Sequence, residues 1–188
     1  MKVIEASLMK EPDSMIAKFI EQLIGEKAAD RLFAIWTEAH CLIEYGKQER
    51  LQAFPVEDCA YFLLCGLCVH YTPSTDEMCG FSGEGRLIHT YPCSVGMEYI
   101  RFEKHSIVLK VSLSTVIENE KVKNQLFTSL MAESYERNKF LLLPWREQFD
   151  ALNKEGVSQC LSDTIVCRFL RIDRKTMQRE RKKNIRKM

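Results

Sequence analysis

The sequence contains no apolar run that approaches the roughly 20 residues needed to cross a membrane. It also contains no Gly-x-x-x-x-Gly-Lys-[Ser/Thr], no Gly-x-Ser-x-Gly and no His-Glu-x-x-His. Without these phosphate-binding, nucleophile and zinc motifs, the sequence gives no support for an enzyme, and we expect no cofactor. Residues Met1–Pro12 lack the apolar centre of a signal peptide, so a cytoplasmic protein is expected.

Paired metal-ligand spacings are also scarce, although the chain has eight cysteines. Cysteines in a chain without a secretion signal are expected to be reduced thiols, not disulfides. Cys65 and Cys68 form a Cys-x-x-Cys pair, but no second pair accompanies them. A single pair is a weak metal signal, so no metal site is predicted, and the four histidines show no ligand spacing.

Net charge is close to zero overall, at a formal +1, but it is unevenly distributed. From Arg168 to Met188 there are six arginines and four lysines against Asp173 and Glu180, a net charge of +8. The rest of the chain therefore carries about −7. This separation indicates a polyanionic partner at the basic end of the molecule.

Two short helical patterns meet inside the basic segment. Ser162 is a favourable N-cap, and Ile165, Val166, Phe169 and Leu170 follow as an apolar stripe. Asp173 is a second N-cap candidate, which opens a helix through Thr176 and Met177. Two helices joined by a turn of three to four residues are typical of a helix-turn-helix, whose second helix enters the major groove of DNA.

The second helix has the side chains for DNA contacts. Arg174 and Lys175 fall in its first turn, where the helix macrodipole disfavours cations, so a role other than helix stability is indicated. Gln178 and Arg179 have side chains suited to purine edges. We therefore predict double-stranded DNA as the partner and the following DNA-binding residues: Ser162, Arg174, Lys175, Gln178, Arg179, Lys182 and Lys183. The alternative is a frayed basic tail that keeps the protein soluble.

Short β-type runs separated by turn residues dominate the chain from Cys41 to Val111. Strands this short and closely spaced predict a barrel or jelly roll. Two amphipathic helices, Ser14–Ile24 and Glu26–Ala39, are predicted before them. The candidate strands are Leu42–Tyr45, Arg50–Phe54, Ala60–Leu64, Leu67–Thr72, Leu87–Thr90, Met97–Phe102 and Ser106–Val111.

A long helical pattern, Leu113–Leu143, follows with no Gly or Pro before Pro144. Its apolar residues form two adjacent rows, which are Val122, Leu126, Leu130 and Phe127, Met131, Tyr135. Such a broad stripe can cover the barrel and pair with a second copy of the helix, and a monomer is expected to leave the first row partly exposed. We therefore predict a homodimer. A shorter helix, Trp145–Asn153, is predicted next.

The basic segment resembles the helix-turn-helix of the Crp/Fnr transcription regulators. The family motif typically runs Leu-Thr-x-x-x-Leu-Ala-x-x-Leu-Gly-[Val/Ile]-[Ser/Thr]-[Arg/Pro]-Glu-Thr-[Val/Leu]-[Ser/Gly]-Arg, and Leu161 to Arg179 aligns with it without gaps. The resemblance implies that Arg174, Lys175 and Arg179 contact operator bases or phosphates. Arg171 stands at the position of the family's turn glycine, so a positive φ there would strain the backbone.

The rest of the chain is similar to the same family. Ala60–Tyr71 resembles its strand–turn–strand Phe-x-[Ile/Leu]-x-x-Gly-x-[Val/Leu]-[Arg/Lys]-x-Tyr, with Gly66 at the tight turn. The resemblance implies an α+β fold, a β-roll (double-stranded β-helix or jelly roll) with N-terminal helices, a long dimerisation helix and a small C-terminal helix-turn-helix. It divides the chain into a cyclic-nucleotide-binding-like roll at 1–112, a dimerisation helix at 113–143 and a DNA-binding segment at 144–188.

The effector pocket implied by the resemblance is degenerate. Binding members carry Phe-Gly-Glu-[Leu/Ile]-Ala-Leu and then Arg-[Ala/Thr], of which this chain keeps Gly83 and Glu84, whereas Cys93 or Ser94 stands at the position of the phosphate-binding arginine. Arg86 is the candidate substitute. An unpaired buried anion costs several kcal/mol, so we expect that cyclic AMP is not the effector.

These observations predict a DNA-binding transcriptional regulator of Crp/Fnr type whose small-molecule effector, if it has one, is unknown. Two alternatives stay open. One is a stand-alone ligand-binding β-roll with a non-specific basic tail. The other is a redox or metal sensor that uses Cys65 and Cys68.

Overall fold

The computed structural model describes residues 2–4, 41–51, 59–90, 92–93, 96–112, 114 and 120–185. The strands within these residues are β1 (Lys2–Ile4), β2 (Cys41–Tyr45), β3 (Arg50–Leu51), β4 (Cys59–Cys65), β5 (Cys68–Tyr71), β6 (Met78–Ser82), β7 (Arg86–Ile88), β8 (Pro92–Cys93), β9 (Gly96–Met97), β10 (Tyr99–Phe102) and β11 (Ser106–Ser112). The helices are α1 (Glu120–Leu142), α2 (Trp145–Lys154), α3 (Val157–Cys160), α4 (Asp163–Leu170) and α5 (Arg174–Ile185). No helix in the described ranges is long and apolar enough to span a membrane.

Strands β1 to β11 form a roll of antiparallel sheets. One sheet has the strand order β1-β2-β11-β4-β7, a second has the order β3-β10-β5-β6, and β8 pairs with β9. Side chains alternate along the strands because successive residues point to opposite faces of a sheet, so β6 is buried at every second position. Residues of both larger sheets form one inner core, within which the rings of Tyr45 and Phe102 stack at 4.2 Å.

The predicted α+β fold with a β-roll is confirmed, and several elements differ from those predicted. The predicted strand Met97–Phe102 is interrupted at Glu98, whose side chain is buried and binds Arg137. Strand β6 was not predicted, because Gly80 and the neighbouring polar residues lower the β-propensity of this segment. Only Arg50–Leu51 of the predicted strand Arg50–Phe54 lies in the described residues, and the predicted helices Ser14–Ile24 and Glu26–Ala39 lie outside them.

The long helix is present as α1, and its two apolar rows have different surroundings. In the first row, Leu126 is only 6% exposed and Leu130 is half-buried, and the side chain of Val122 lies outside the described residues. Phe127, Met131 and Tyr135 of the second row are 56%, 72% and 66% exposed. The expectation that the row of Val122, Leu126 and Leu130 is left exposed in a monomer is therefore wrong for Leu126, which is buried within a single copy of the chain. The unpartnered face of the helix is the second row.

The C-terminal helices do not form a core of their own. They share a hydrophobic cluster with the roll, which we call the shared core, and its buried members are Leu67, Val69, Tyr71, Met78, Tyr99, Phe149, Leu152, Val157, Leu161, Val166, Cys167, Leu170 and Met177. A row of aromatic rings adds to this contact, since Phe81 meets Phe140 edge-on at 5.4 Å and Phe140 stacks on Phe169 at 5.9 Å. The roll therefore supplies part of the hydrophobic core on which the helices α2 to α5 rest.

The junction between α1 and α2 is held by a buried amide. Pro144 ends α1 and starts α2, since proline is tolerated at the start of a helix but not in its interior. The side-chain amide of Gln148 donates to the carbonyl oxygens of Phe140 and Leu141, both at 3.1 Å. These carbonyls lie in the last turn of α1, where intrahelical partners run out, so Gln148 satisfies them and fixes α2 against α1.

Candidate nucleic-acid interface

Helices α4 and α5 are each closed at the N-terminus by the predicted cap. The Ser162 hydroxyl accepts a hydrogen bond from the Ile165 amide at 3.4 Å at the start of α4. The Asp173 carboxylate accepts one from the Thr176 amide at 2.9 Å and one from the Thr176 hydroxyl at 2.6 Å at the start of α5. These bonds with Thr176 lower the pKa of Asp173, so the cap stays charged at neutral pH.

The turn between the two helices passes through a left-handed residue. Arg171, which follows the last residue of α4, has φ 54° and ψ 41°. Its amide and that of Ile172 return hydrogen bonds to carbonyls of the last turn of α4, in the manner of a helix C-cap. The positive φ anticipated at Arg171 is therefore present. A glycine would adopt it without the steric cost that a β-carbon brings.

The shared core fixes which face of α5 points to solvent. Met177 is fully buried and lies 3.7 Å from the sulfur of Cys167 on α4. Residues on the opposite side of α5 are exposed. Lys175, Arg179 and Lys182 lie on this side, and Arg174 and Gln178 flank it. All five are exposed, and they are the predicted DNA-binding residues of this helix whose side chains the structure describes. The backbone of Lys183 belongs to α5, and its side chain lies outside the described residues.

Arg181, another cation of α5, contacts the neighbouring helices α3 and α4. Its guanidinium donates to the carbonyl of Ser158 at 3.0 Å and pairs with Asp163 at 3.0 Å. These contacts pin α5 to α3 and α4. The sequence contains a signal for this inward-facing position. Arg181 follows the buried Met177 by four residues and therefore lies on the same face of the helix.

The predicted effector residues do not surround one cavity. Gly83 and Glu84 lie in the turn between β6 and β7, where Glu84 accepts a hydrogen bond from the Gly66 amide at 3.0 Å. Glu84 thus supports the β4–β5 hairpin, whose Gly66 has φ 110°. Arg86 lies 3.7 Å from Glu133 of α1 and lines a cleft of about 470 Å³ between the roll, α1 and α2.

A cluster of buried and half-buried charged and polar side chains lies between the roll and α1, and it was not predicted from the sequence. We call His70, His89, Glu98 and Arg137 the polar cluster. Arg137 donates to both carboxylate oxygens of Glu98, with Nη1 2.9 Å from Oε2, and to the carbonyl of Cys79 at 3.0 Å. His70 lies 3.4 Å from Glu98 and 3.1 Å from the hydroxyl of Ser82.

Burial and charge shift the pKa values in the polar cluster. Burial alone would raise the pKa of Glu98, but its contacts with His70 and Arg137 outweigh that effect and lower it to about 2. Burial, together with the nearby charge of Arg137, lowers the pKa of His70 and lowers that of His89 to about 4. At neutral pH the cluster therefore holds a charged Glu98–Arg137 pair and two neutral imidazoles.

The thiols of the Cys-x-x-Cys pair are poor nucleophiles. Cys68 is fully buried, and burial raises its pKa to about 12. Burial also raises the pKa of Cys65. Reactivity and metal binding need the thiolate, which these shifts disfavour. No group of His, Cys, Asp and Glu residues among those described is placed to hold a metal ion.

The sequence matches no protein-family model and no curated protein, whereas the fold has many solved counterparts. A protein from Eubacterium rectale assigned to the Crp/Fnr family of transcriptional regulators superimposes with a TM-score of 0.56 at 11% identity, over 80% of each chain. FixK2 from Bradyrhizobium japonicum gives 0.56 at 14% identity, over 75% of this chain and 82% of that one. The chain has the Crp/Fnr-type fold.

A cyclic-nucleotide-binding domain containing protein from Listeria monocytogenes also aligns, with a TM-score of 0.52 at 13% identity over 86% of each chain. The Crp/Fnr-type fold thus extends from the roll into the C-terminal helices. Sequence identity this low establishes the fold alone. What this chain binds has to be argued from its own residues.

Proposed function

We propose that the protein is a DNA-binding transcriptional regulator of Crp/Fnr type with a degenerate effector site in its roll. The observation that carries the proposal is the exposed cationic face of α5. Lys175, Arg179 and Lys182 recur on that face at helical spacing, while Met177 anchors the opposite face. A helix presented in this way by a capped partner helix suits the major groove, with Gln178 and Arg179 facing base edges.

The basic-tail alternative fits α4 and α5 poorly. A solvated tail has no reason to bury Val166, Leu170 and Met177 or to close both helices with side-chain caps. The raised pKa values of Cys65 and Cys68 likewise favour buried structural thiols over a redox sensor. We infer a regulator in which residues 1–112 form the sensing roll, 113–143 the dimerisation helix and 144–188 the DNA-binding segment.

Selection of genomic DNA fragments by the purified protein tests this proposal directly. A sequence-specific regulator enriches fragments that share a motif, and it binds them at least about 10³-fold more tightly than random duplex at the same salt concentration. A non-specific basic surface enriches no motif, and its affinity depends on salt alone. Equal affinity for selected and random DNA would therefore contradict the assignment.

Cyclic AMP is expected not to bind, because the described cations near the roll interior already have acidic partners. Arg137 is paired with Glu98, and Arg86 lies next to Glu133. A cyclic phosphate entering this region would have to displace a carboxylate or remain unpaired, which costs several kcal/mol. Titration calorimetry with cyclic AMP and cyclic GMP should detect no binding. A dissociation constant in the low micromolar range, lost in Arg86→Ala, would overturn this expectation.

The proposed homodimer rests on the exposed second row of α1. Phe127, Met131, Tyr135 and Leu142 lie on one side of the helix, and Leu142 is 86% exposed. The intervals of three and four residues between Met131, Tyr135, Asn138 and Leu142 match the seam of a two-stranded coiled coil. A contiguous apolar stripe of this length is unusual on a monomer, so a second copy of α1 is the partner that it suits best.

We expect a dimer at tens of micromolar in sedimentation equilibrium, and Met131→Asp should convert it to a monomer because the charge falls in the centre of the proposed seam. Ala132→Asp is the matched control. It adds the same charge at an exposed position one residue further round the helix, and it should leave the dimer intact. A wild-type protein that sediments as a monomer at this concentration would exclude the proposed interface.

A further inference from the structure

The polar cluster joins two parts of the molecule that are distant in sequence. His70 belongs to β5, His89 follows β7 and Glu98 lies between β9 and β10, so three of its members come from the roll. Arg137 belongs to α1 and binds Glu98 from 39 positions away. Its guanidinium also fills the space above Gly80, where a β-carbon would lie 3.2 Å from Arg137 Nε. The cluster therefore attaches α1 to the roll by an ion pair, in addition to the more exposed contact between Arg86 and Glu133.

The cluster has two opposite charges and two imidazoles that can become charged. The groups that face the imidazoles are Glu98 and Arg137, together with the Ser82 hydroxyl, and the Cys79 thiol of β6 lies beside Glu98 and Arg137. Burial raises the pKa of Cys79 to about 12, so this thiol stays neutral. Protonation of His70 and His89 would place two further cations beside Arg137, around the one carboxylate of Glu98.

We propose that the polar cluster is a pH-sensitive latch, closed while His70 and His89 are neutral and opened by their protonation, which releases α1 from the roll. The driving force is the repulsion of Arg137 by two imidazolium groups that compete with it for Glu98. Release exposes the imidazoles to water, where they hold their protons at their ordinary pKa. The latch needs no bound DNA and no small molecule, so it is independent of the regulator function proposed above.

The pH window follows from the direction of the histidine shifts. Both pKa values are lowered in the closed state, so the closed state is fully favoured above the ordinary value of 6.5 and loses stability as the pH falls. With a closed-state pKa of about 4, His89 alone increases the open population about 30-fold at about pH 5. Glu98, with a pKa of about 2, stays charged throughout this range and does not cause the change.

Hydrogen–deuterium exchange of the full chain tests the latch. After correction for intrinsic exchange rates, the amides of α1 between 126 and 142 should exchange about 30-fold faster, or more, at about pH 5 than at about pH 7.5. The amides of β4 and β11 should keep their protection. The double variant His70→Gln/His89→Gln should lose the pH response, because glutamine retains hydrogen-bonding groups but cannot become charged.

His105→Gln is the matched control. His105 is exposed and pairs with Glu44, away from the polar cluster, so this variant should keep the full response. If the double variant does not fold, hydrogen exchange is measured on the single variants His70→Gln and His89→Gln instead. In each of them, the increase in exchange of the α1 amides at low pH should be smaller than in the wild type. Equal protection of α1 at both pH values in the wild type would exclude the latch. A folded double variant that responds like the wild type would also exclude it. So would a loss of protection in β4 and β11 together with α1.

Discussion

Replacing Leu152 by alanine is expected to lower the free energy of unfolding by about 2–5 kcal/mol and to destabilise the roll together with the C-terminal helices. Leu152 of α2 is fully buried in the shared core, where removal of three carbon atoms leaves a cavity. Two units with separate cores would behave differently, because only the unit that carries the substitution would lose stability. The shared core predicts one cooperative transition.

Urea denaturation followed by hydrogen exchange mass spectrometry checks this prediction, with peptides from β5 and from α4 read separately. Both sets should lose protection at the same urea concentration, and Leu152→Ala should shift both by the same amount. Leu142→Ala makes the same chemical change at a position that is 86% exposed, and in samples dilute enough to be monomeric it should leave the stability within about 0.5 kcal/mol of the wild type. Peptides from β5 that remain protected after those from α4 have opened would contradict the shared core.

The triple substitution Arg174→Gln, Lys175→Gln and Arg179→Gln is expected to weaken binding to selected DNA by roughly 100-fold or more, since three contacts are lost at about 1 kcal/mol each or above. The slope of log K against log salt should fall by nearly two units, at about 0.9 for each phosphate contact of Arg174 and Lys175, because Arg179 is proposed to face base edges. The weaker DNA binding of this variant would not be explained by a loss of folding. Two of these cations lie in the first turn of α5, where the macrodipole disfavours them, so the substitutions should not reduce stability.

The matched control for this variant is Lys47→Gln, Lys104→Gln and Lys139→Gln. These exposed lysines lie outside α5, and their removal changes the net charge by the same amount. The control should keep most of the affinity. Electrophoretic mobility shift or fluorescence anisotropy at several salt concentrations measures both quantities. If the two variants bind equally, the charge of the whole molecule governs binding, and α5 is not a recognition helix.

The periodicity of the sequence predicted most of the described fold because hydrophobic patterning reflects local geometry. Ser162 and Asp173 were recognised as caps from residue type and spacing alone, and the structure has both hydrogen bonds. Strand β6 was missed, because a segment with Gly80 in its centre is held by its neighbours β5 and the C-terminal helices more than by its own propensity. Tertiary context also decided that Leu126 of the first apolar row of α1 is buried while Phe127, Met131 and Tyr135 of the second row are exposed.

The polar cluster between the roll and α1 could not be predicted from the sequence. The pair Glu98–Arg137 joins residues 39 positions apart, and no local pattern marks either partner. A motif drew attention to Glu84 instead, whose carboxylate has a structural role at the Gly66 turn. The cationic face of α5 was predictable because it depends only on helical spacing. Its orientation towards solvent required the position of Met177 in the shared core.

The shared core also restricts how such a chain can be recombined. A chimera that joins this roll to foreign DNA-binding helices at Pro144 would leave Tyr71, Met78 and their neighbours facing side chains that were never selected to pack against them. For the regulator proposed above, operator preference is therefore not expected to transfer with a swapped module. It is expected to change through single substitutions at exposed positions of α5 such as Gln178 and Arg179, because these alter the proposed DNA-binding surface and leave the interior intact.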